Sequence, residues 1–380
     1  MADPVRRVVY LTGTRADFGL MERTLQAIAA TPGLQLQVAV TGMHLSTEHG
    51  HTIDEVRASG LAVCAEIPLD MRTRTGASMS LGIADCLRGV TQALEPERPD
   101  MLLLLGDRGE MLAGAIAALH LGIACVHVHG GERSGTVDEP VRHAISKLAS
   151  YHLVATEDAR ERLVRMGELP DRIHVVGAPG LDGLRGLGDV PREQCLRDLG
   201  LDAGAKFVLA VFHPVVQQAS GAARQTSDLL HALRELQLPV VWAEPNADAG
   251  SKEILRVLDE EGLPPGSRRV THLGRPRFAA AMRHCEVMVG NSSAGIIEAA
   301  SFGTPVVNVG DRQKLREHGP NVLDVPAESD AVVQALRAQL AHGRWPCENS
   351  WGDGRSAARI AGLLATLPLG GPLLEKINAY

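Results

Sequence analysis

Several features that often define a protein's class are missing from this chain of 380 residues. No apolar run approaches the roughly 20 residues that a membrane-spanning helix needs, so we expect no membrane segment. The six cysteines are scattered, with neither a C-x-x-C pair nor zinc-ligand spacing, which indicates reduced core residues. The net charge of −7 gives no electrostatic reason to expect a nucleic-acid partner. Together these absences favour a cytoplasmic globular protein.

Metal and cofactor signals are weak as well. His127 and His129 stand two residues apart on a predicted strand, which is too little for a metal site, and we predict none. The opening strand–helix–strand unit lacks the G-x-G-x-x-G pattern, so the dinucleotide-binding fingerprint is absent. Neither pattern predicts a bound cofactor.

Short apolar strands alternate with helices along the whole sequence. This alternation predicts parallel sheets covered by helices on both faces, and the length is enough for two domains. We predict an α/β fold of two doubly wound Rossmann-like domains that face a central cleft. A Gly/Pro-rich stretch from 177 to 191 separates an N-terminal domain (1–183) from a C-terminal domain (192–365). Residues 366–380 are predicted to form a C-terminal segment whose terminal helix, 372–379, packs back on the N-terminal domain.

Charged side chains follow the predicted strands of the first half. Arg15, Asp107 and Glu132 each come after a strand, and Asp138 stands with Glu139 near the start of a helix. Because clefts in open α/β sheets form at the carboxyl ends of strands, we expect these groups to converge on one cleft. Such carboxylates suit proton transfer, in which one removes a proton and another protonates a leaving oxygen. Any single one could instead cap a helix or line a loop.

A strand–turn–helix unit in the second half carries small polar residues. A short apolar run, 287–289, is followed by the turn GNSSAG at 290–295 and then by a predicted helix. Such a turn leaves backbone N–H groups unpaired at the positive end of a helix, where phosphate binds, and the hydroxyls of Ser292 and Ser293 add donors. Glu298, close behind, could accept both hydroxyls of a ribose. The alternative is a purely structural turn, since such units are common.

With both halves laid out, the chain resembles the hydrolysing UDP-N-acetylglucosamine 2-epimerases, especially the branch of the sialic-acid and legionaminic-acid pathways. The resemblance runs nearly from end to end. It is carried by the blocks TGTRADFG (12–19), LGDRGEM (105–111), HVHGGERSGTVDEPVRHAISKL (127–148), VVGAPGLD (175–182), FHPV (212–215), PNADAG (245–250), GNSSAGIIEA (290–299) and VNVGDRQ (307–313).

The resemblance implies a fold like that of the B-type glycosyltransferases, a homo-oligomer (dimer or tetramer), and chemistry without a metal or a nicotinamide. In the first step, a base removes the proton at C2 of the sugar while UDP leaves from C1, which gives a glycal. Water then adds and yields free N-acetylmannosamine. The sugar and phosphates would sit between two hinged domains, so we also expect closure on binding.

Residue roles follow from the same resemblance. Asp107 and Asp138 match acidic residues that the family uses in acid–base work. Positions that match residues around the sugar and diphosphate are Arg15, Arg108, Arg142, Asp182 and His213. Positions that match the nucleotide-holding group are Ser292, Ser293, Glu298 and Arg312. The candidate catalytic residues are Asp107, His129, Glu132, Asp138 and His213.

The sequence departs from the family pattern at two places. Where some relatives carry a glutamate two residues before the Gly-Glu pair, this chain has His129, while Glu132 remains. Either His129 replaces that carboxylate as the base, which its titration range permits, or Glu132 or Asp138 carries the role. Leu315 stands where the pattern leads us to expect glycine, in the loop next to the nucleotide.

The function that the resemblance implies is conversion of UDP-N-acetylglucosamine to N-acetylmannosamine and UDP in the biosynthesis of nonulosonic, sialic-type acids. One alternative is the same chemistry on a UDP- or GDP-linked 2,4-diacetamido-6-deoxy sugar, as in the legionaminic acid pathway. A second is a glycosyltransferase of the same fold. A third is a sugar-nucleotide-binding regulator that has lost catalysis.

Overall fold

The computed structural model describes residues 5–71, 75–246 and 248–379. In these ranges, strands and helices alternate, and the strands form two parallel sheets of seven and six strands. Ala247 and Tyr380, which belong to predicted segments, lie outside the described residues. The predicted fold class is confirmed, because the chain folds into two parallel-sheet α/β domains that face each other.

The first sheet has the strand order β3-β2-β1-β4-β5-β6-β7 and the second has the order β10-β9-β8-β11-β12-β13. The strands of the first sheet are β1 (Arg6–Thr12), β2 (Leu34–Thr41), β3 (Val63–Ile67), β4 (Met101–Leu105), β5 (Ala124–Val128), β6 (Tyr151–Val154) and β7 (Ile173–Val175). Those of the second sheet are β8 (Val208–Val211), β9 (Val240–Ala243), β10 (Arg268–Val270), β11 (Val287–Gly290), β12 (Val306–Val309) and β13 (Val322–Val325).

Helices cover both faces of each sheet. They are α1 (Arg15–Ala29), α2 (Ile53–Ala58), α3 (Gly76–Glu97), α4 (Gly109–Leu121), α5 (Asp138–Leu148), α6 (Glu157–Arg165), α7 (Leu184–Leu187), α8 (Arg192–Asp198), α9 (Ala222–Glu235), α10 (Ser251–Glu261), α11 (Gly274–His284), α12 (Ser293–Ile297), α13 (Ser329–His342) and α14 (Ser356–Thr366). No helix in the described ranges has the length and apolar character that crossing a bilayer requires.

The central strands are apolar along their whole length. All five residues of β4, Met-Leu-Leu-Leu-Leu, are at most 5% exposed. A strand buried on both faces needs such a continuous run, because its side chains point alternately to the two layers of helices. Polar residues are therefore displaced to the strand ends, which is where the cleft forms.

The chain crosses between the two domains twice, and both crossings differ from the predicted boundaries. At the first crossing, from the first domain to the second, Leu181 and Leu184 pack in the core of the second sheet, although they precede residue 192, the predicted start of the second domain. On the way back, α14 packs against α1, and its Ile360 and Leu364 lie in the core of the first sheet. The amphipathic pattern of α14 predicts a helix but does not identify the core that it covers.

The helix predicted over 372–379 is wrong. This segment has one 3-10 turn, Gly371–Leu373, and its other described residues are not helical. Eight residues after a Gly-Gly pair are too few to sustain an isolated helix. The segment is held by side chains instead: Lys376 Nζ donates to the carbonyl oxygens of Ser146 (2.9 Å) and Ala149 (2.7 Å) and lies 2.6 Å from Glu168. These contacts lie on the first domain, where α5 ends.

Candidate active site

A cavity of about 360 Å³ opens where the carboxyl ends of β1, β4 and β5 face those of β8 and β11. Most of the predicted site residues line it, namely Arg15, Asp107, Arg108, His129, Asp138, Arg142, His213, Ser292, Ser293 and Arg312. Glu132, Asp182 and Glu298 do not. Strand ends from both domains therefore contribute to one site.

Asp107, which follows β4, forms an ion pair with Arg142, a residue that is only 1% exposed. Burial alone would raise the pKa of this carboxyl, but the positive charges of Arg142, Arg316 and Arg312 outweigh that effect and hold the pKa below its usual value. Arg142 also donates to the carbonyl oxygen of Glu132 (3.1 Å), which fixes its guanidinium. Asp107 is therefore a carboxylate at neutral pH.

Asp138 is the first residue of α5, and its pKa is shifted in the opposite direction from that of Asp107. Burial raises the pKa of Asp138, and the neighbouring Asp107 carboxylate raises it further. Arg312, whose Nη2 lies 3.8 Å from Asp138 Oδ2, offsets only part of this. One cleft therefore holds a carboxylate that keeps its charge and another that tends to keep its proton, which is the division of roles between base and acid.

His129 forms a contact with Glu132 through its Nδ1, and its ring lines the cavity. Its backbone φ of +62° lies in the left-handed region, which non-glycine residues rarely adopt. Glu132 is 2% exposed and lies behind His129, where its other carboxylate oxygen contacts Arg316 of the second domain. Burial would raise the pKa of Glu132, but these two partners lower it. Glu132 is thus a buried carboxylate that reaches the cavity only through His129.

His213, which follows β8, is a neutral hydrogen-bond donor. Burial and then the charge of Arg312 lower the pKa of His213 to about 3. Its Nδ1 accepts a hydrogen bond from the backbone N–H of Asn246 (3.2 Å), so the ring proton resides on Nε2. Asn291 fixes the backbone of His213 with two hydrogen bonds, of 2.7 and 2.8 Å.

Gly290 permits this arrangement at the end of β11. Its φ is +130°, and a Cβ at this position would overlap the carbonyl oxygen of Val211 on β8. Ser292 then caps α12 by accepting from the N–H of Ala294 (3.3 Å), and Ser293 follows it. Because α12 has only five residues, hydroxyl and backbone donors contribute more here than a helix dipole does.

Arginines from both domains bring positive charge to the cavity. Arg312 donates to the carbonyl oxygen of Asn291 (3.1 Å), and Arg108 lies 3.4 Å from Asp248 across the cleft. Arg15 is the first residue of α1, because Thr14 caps that helix. Burial lowers the pKa of Arg15 to about 10, so it stays charged at neutral pH.

The structure corrects two predicted contacts with the substrate. Asp182 accepts hydrogen bonds from the backbone N–H groups of Ser356 (2.9 Å) and Ala357 (2.7 Å), so it caps α14 rather than lining the cavity. Glu298 is 3% exposed and forms an ion pair with Arg275. Both carboxylates are bound inside the protein, and neither faces the cavity as the resemblance implies.

Among the site residues that sequence reasoning missed, three make contacts that matter for the arrangement of the site. Arg316 and Gln313 line the cavity, and Asp248 bridges the domains. Gln313 ends one quoted block and Asp248 lies within another, so a partial signal was present. Arg316 gave none, because its importance depends on a partner 184 residues away in sequence.

The chain is similar to known proteins over most of its length. A family model described as UDP-N-acetylglucosamine 2-epimerase matches residues 26–365. The chain is 46% identical over 376 residues to the hydrolysing UDP-N,N'-diacetylbacillosamine 2-epimerase of Legionella pneumophila, covering 99% of this chain and 100% of that protein. It is 33% identical over 355 residues to a UDP-N-acetylglucosamine 2-epimerase of Neisseria meningitidis, covering 92% of each.

A solved structure shares the fold. The crystal structure of the Neisseria meningitidis UDP-GlcNAc 2-epimerase bound to UDP-GlcNAc has a TM-score of 0.78 with this chain, at 18% identity. The match covers 94% of this chain and 99% of the other.

The two facing parallel-sheet domains and the cleft between them define an enzyme fold of the glycosyltransferase-B type. The chain belongs to the UDP-N-acetylglucosamine 2-epimerase family, and within it to the hydrolysing 2-epimerases of nucleotide sugars. The family and the enzyme class predicted from the sequence are confirmed. Family membership also decides against the glycosyltransferase and the non-catalytic regulator.

Proposed function

We propose that the substrate is a UDP-linked 2,4-diacetamido-6-deoxy sugar, UDP-N,N'-diacetylbacillosamine, and that the products are UDP and the free sugar inverted at C2. The observation that carries this proposal is the 46% identity, over nearly the whole of both chains, to the Legionella enzyme named for that substrate. Identity to the Neisseria enzyme named for UDP-N-acetylglucosamine is 33%.

Apolar side chains in the cavity support a deoxy sugar. Leu20, Met43, Leu105 and Ile297 all line it. A methyl group at C6 gains from contact with such side chains, whereas a 6-hydroxyl buried there without a partner would cost about 1–3 kcal/mol.

UDP-N-acetylglucosamine is the second candidate. It is favoured by the Neisseria relative and by a 30% identical protein named for polysialic acid biosynthesis in Escherichia coli. Polar side chains such as Glu48, Thr52 and Asn246 also line the cavity and could bind a 6-hydroxyl.

The first chemical step is an elimination. Nε2 of His129 takes the proton from C2, the C1–O bond breaks, and UDP leaves with the bonding electrons, which leaves a C1=C2 double bond. His129 suits this role because Nδ1 faces Glu132, which leaves Nε2 as the proton acceptor on the cavity side. The C2–H of an acetamido sugar is a poor acid, so close placement and strong stabilisation of the leaving phosphate are both needed.

The second step adds water to the glycal. The Asp107 carboxylate takes a proton from water as the oxygen bonds to C1, and protonated Asp138 gives its proton to C2 from the face opposite His129. The lowered pKa of Asp107 favours its carboxylate form, and the raised pKa of Asp138 favours its protonated form. Solvent then restores all three groups: Asp107 and His129 each release the proton they took, and Asp138 regains one.

The second domain holds the leaving group. Nε2–H of His213, the hydroxyls of Ser292 and Ser293, and the guanidinium of Arg312 are donors on that side of the cavity. Arg312 can bind two phosphate oxygens at once, and neutral donors add binding without bringing further charge.

A comparison of the two substrates tests the proposal. We expect kcat/KM for the UDP-linked diacetamido-6-deoxy sugar to exceed that for UDP-N-acetylglucosamine by roughly 100-fold, the discrimination that a buried unpaired hydroxyl provides. The GDP-linked form of the same sugar serves as the control for recognition of the nucleobase. Equal or reversed kcat/KM values for the two UDP sugars would overturn the proposed substrate and favour the second candidate.

A further inference from the structure

We propose that Arg316 of the second domain is a positioning residue that holds His129, through Glu132, in the geometry of the base. The three side chains form a unit that we call the cross-domain clamp (Arg316–Glu132–His129). It makes removal of the C2 proton depend on domain closure. This inference rests on the proposed function, because it assumes that His129 is the base.

The clamp is continuous and buried. One carboxylate oxygen of Glu132 contacts Nδ1 of His129, and the other contacts Nη2 of Arg316. The exposed fractions are 9% for Arg316, 2% for Glu132 and 8% for His129. Hydrogen bonds to charged groups are strong when water is excluded, so Glu132 transmits the position of Arg316 to the imidazole.

Glu132 also fixes the form of the imidazole. Because a carboxylate only accepts hydrogen bonds, the ring nitrogen that faces it, Nδ1, carries the proton. Nε2 has no hydrogen-bond partner among the residues that the structure describes, and the ring lines the cavity. The clamp thus presents an unprotonated nitrogen to the substrate.

Arg316 is itself held in place from within the second domain. Its Nη1 donates to Oε1 of Gln313 (2.7 Å), and its Cζ lies 5.5 Å from the centre of the Trp351 ring. The ring of His129 lies 6.4 Å from the same tryptophan. With both terminal nitrogens engaged and an aromatic ring alongside, Arg316 is directed at Glu132 rather than at a phosphate.

Unfavourable backbone conformations stand at both ends of the clamp. Leu315, next to Arg316, has φ +71°, and His129 has φ +62°. Each is unfavourable for a non-glycine residue, and such conformations persist where the surrounding contacts over-determine the geometry. These are the two positions at which the sequence departs from the family pattern, so the departures meet in one structural unit.

Closure controls the clamp because its members come from different domains. Opening the cleft would withdraw Arg316 and leave Glu132 without its charged partner, free to turn away from the imidazole. The ring would then lose its fixed orientation. We therefore expect the base to be assembled only in the closed form.

The adjacent residue provides a matched control. Glu317 also bridges the domains, because it lies 3.4 Å from Arg162 and accepts from the Thr156 hydroxyl (3.0 Å). It has no contact with His129 among the described residues. Glu317→Gln therefore weakens closure by a comparable contact without touching the clamp.

The test compares Arg316→Met with Glu317→Gln by steady-state kinetics and by calorimetric titration with UDP. Methionine keeps the apolar stem beside Trp351 and removes the charge. We expect Arg316→Met to lower kcat about 100-fold with the Kd for UDP changed less than about threefold, and Glu317→Gln to change both less than about threefold. Equal kcat values for the two variants, or a loss of UDP affinity that matches the loss in kcat, would overturn the clamp.

Two further variants separate this inference from the proposed function. His129→Gln with near wild-type turnover would refute His129 as the base, whatever Arg316 does. If His129→Gln is inactive while Arg316→Met keeps its activity, the clamp is refuted and His129 remains the proposed base. Arg316→Lys, which keeps the charge and disturbs folding less, should recover part of the lost kcat. An Arg316→Lys variant that melts like the wild type and binds UDP normally, yet recovers none of the lost kcat, would contradict a positioning role that depends on the positive charge beside Glu132.

Discussion

The first-domain wall of the cleft (Asp107, His129, Asp138) carries ionisable side chains, and the pKa values of its two carboxyl groups are shifted in opposite directions. The second-domain wall (His213, Ser292, Ser293) presents neutral hydrogen-bond donors instead. Both walls are built from strand ends of a parallel sheet. What differs is the charge that surrounds them. Arginines and carboxylates are interleaved around Asp107, while the imidazole of His213 is kept neutral by burial beside Arg312.

This difference shows how one architecture can serve two tasks. Proton transfer requires one carboxyl group that is ionised and another that holds a proton, and the lowered pKa of Asp107 and the raised pKa of Asp138 favour these two states. Phosphate binding requires donors that do not change state, which hydroxyls and a neutral imidazole provide. Variants of the first wall should therefore affect kcat, and variants of the second should affect nucleotide affinity.

The largest effect is expected for Asp107→Asn. The asparagine amide cannot accept the proton from water. The substitution also leaves the buried Arg142 without its negatively charged partner. We expect kcat to fall by about 1,000-fold or more, with the Kd for UDP changed less than about threefold. Turnover by coupled UDP release and titration with UDP measure the two quantities. Asp85→Asn, which alters an exposed ion pair with Arg88 on α3, is the control.

Asp138→Asn should lower kcat by about 100-fold and change the pH profile. Protonated Asp138 is the active form, so the wild-type rate falls as pH rises through its raised pKa, while Asp107 stays ionised to low pH because its pKa is lowered. The asparagine variant should lose this decline with rising pH. A decline that persists unchanged in the variant would contradict the acid role.

Arg312→Met should affect nucleotide affinity, because Arg312 lies beside His213 of the second wall. It removes a cation whose Nη1 is fixed by the carbonyl oxygen of Asn291. We expect the Kd for UDP to rise by about 10- to 30-fold, the equivalent of one charge-assisted hydrogen bond. Ser292→Ala and Ser293→Ala should give smaller increases in the same titration. A normal Kd with a reduced kcat would place Arg312 with the first wall instead.

The smallest catalytic effect is expected for Asp182→Ala. Because its carboxylate caps α14, the variant should lower the free energy of unfolding by about 1 kcal/mol, as measured in urea. Its kcat and its Kd for UDP should stay within about twofold of wild type. A rise in KM with unchanged stability would restore the contact with the substrate that the sequence resemblance implies.

Much of the fold and of the cavity lining followed from the sequence because the signals are local. Apolar strands, small-residue turns and charged strand ends predict the sheets and place Asp107 and Ser292 at the carboxyl ends of strands, whereas His213 came from the family resemblance. Local patterns do not reveal the partner of a side chain. Asp182 and Glu298 have the residue type expected of a side chain that binds the substrate. In the structure, Asp182 instead accepts hydrogen bonds from backbone N–H groups, and Glu298 forms an ion pair with Arg275.

Contacts between distant segments account for the rest. Neither Arg316 nor its partner Glu132 shows a pattern by which the other could be found, and only the closed pair of domains brings them together. Similarly, the segment after α14 is fixed by the contacts of Lys376 with the first domain rather than by any helical tendency of its own.

The most direct test of the account is proton NMR of the reaction with the UDP-linked 2,4-diacetamido-6-deoxy sugar in D2O. Elimination followed by hydration predicts free UDP and a free sugar with inverted C2 that carries deuterium there, because the proton that reaches C2 comes from a solvent-exchanged acid. A product that keeps its original hydrogen at C2, or that remains attached to UDP, would contradict the mechanism.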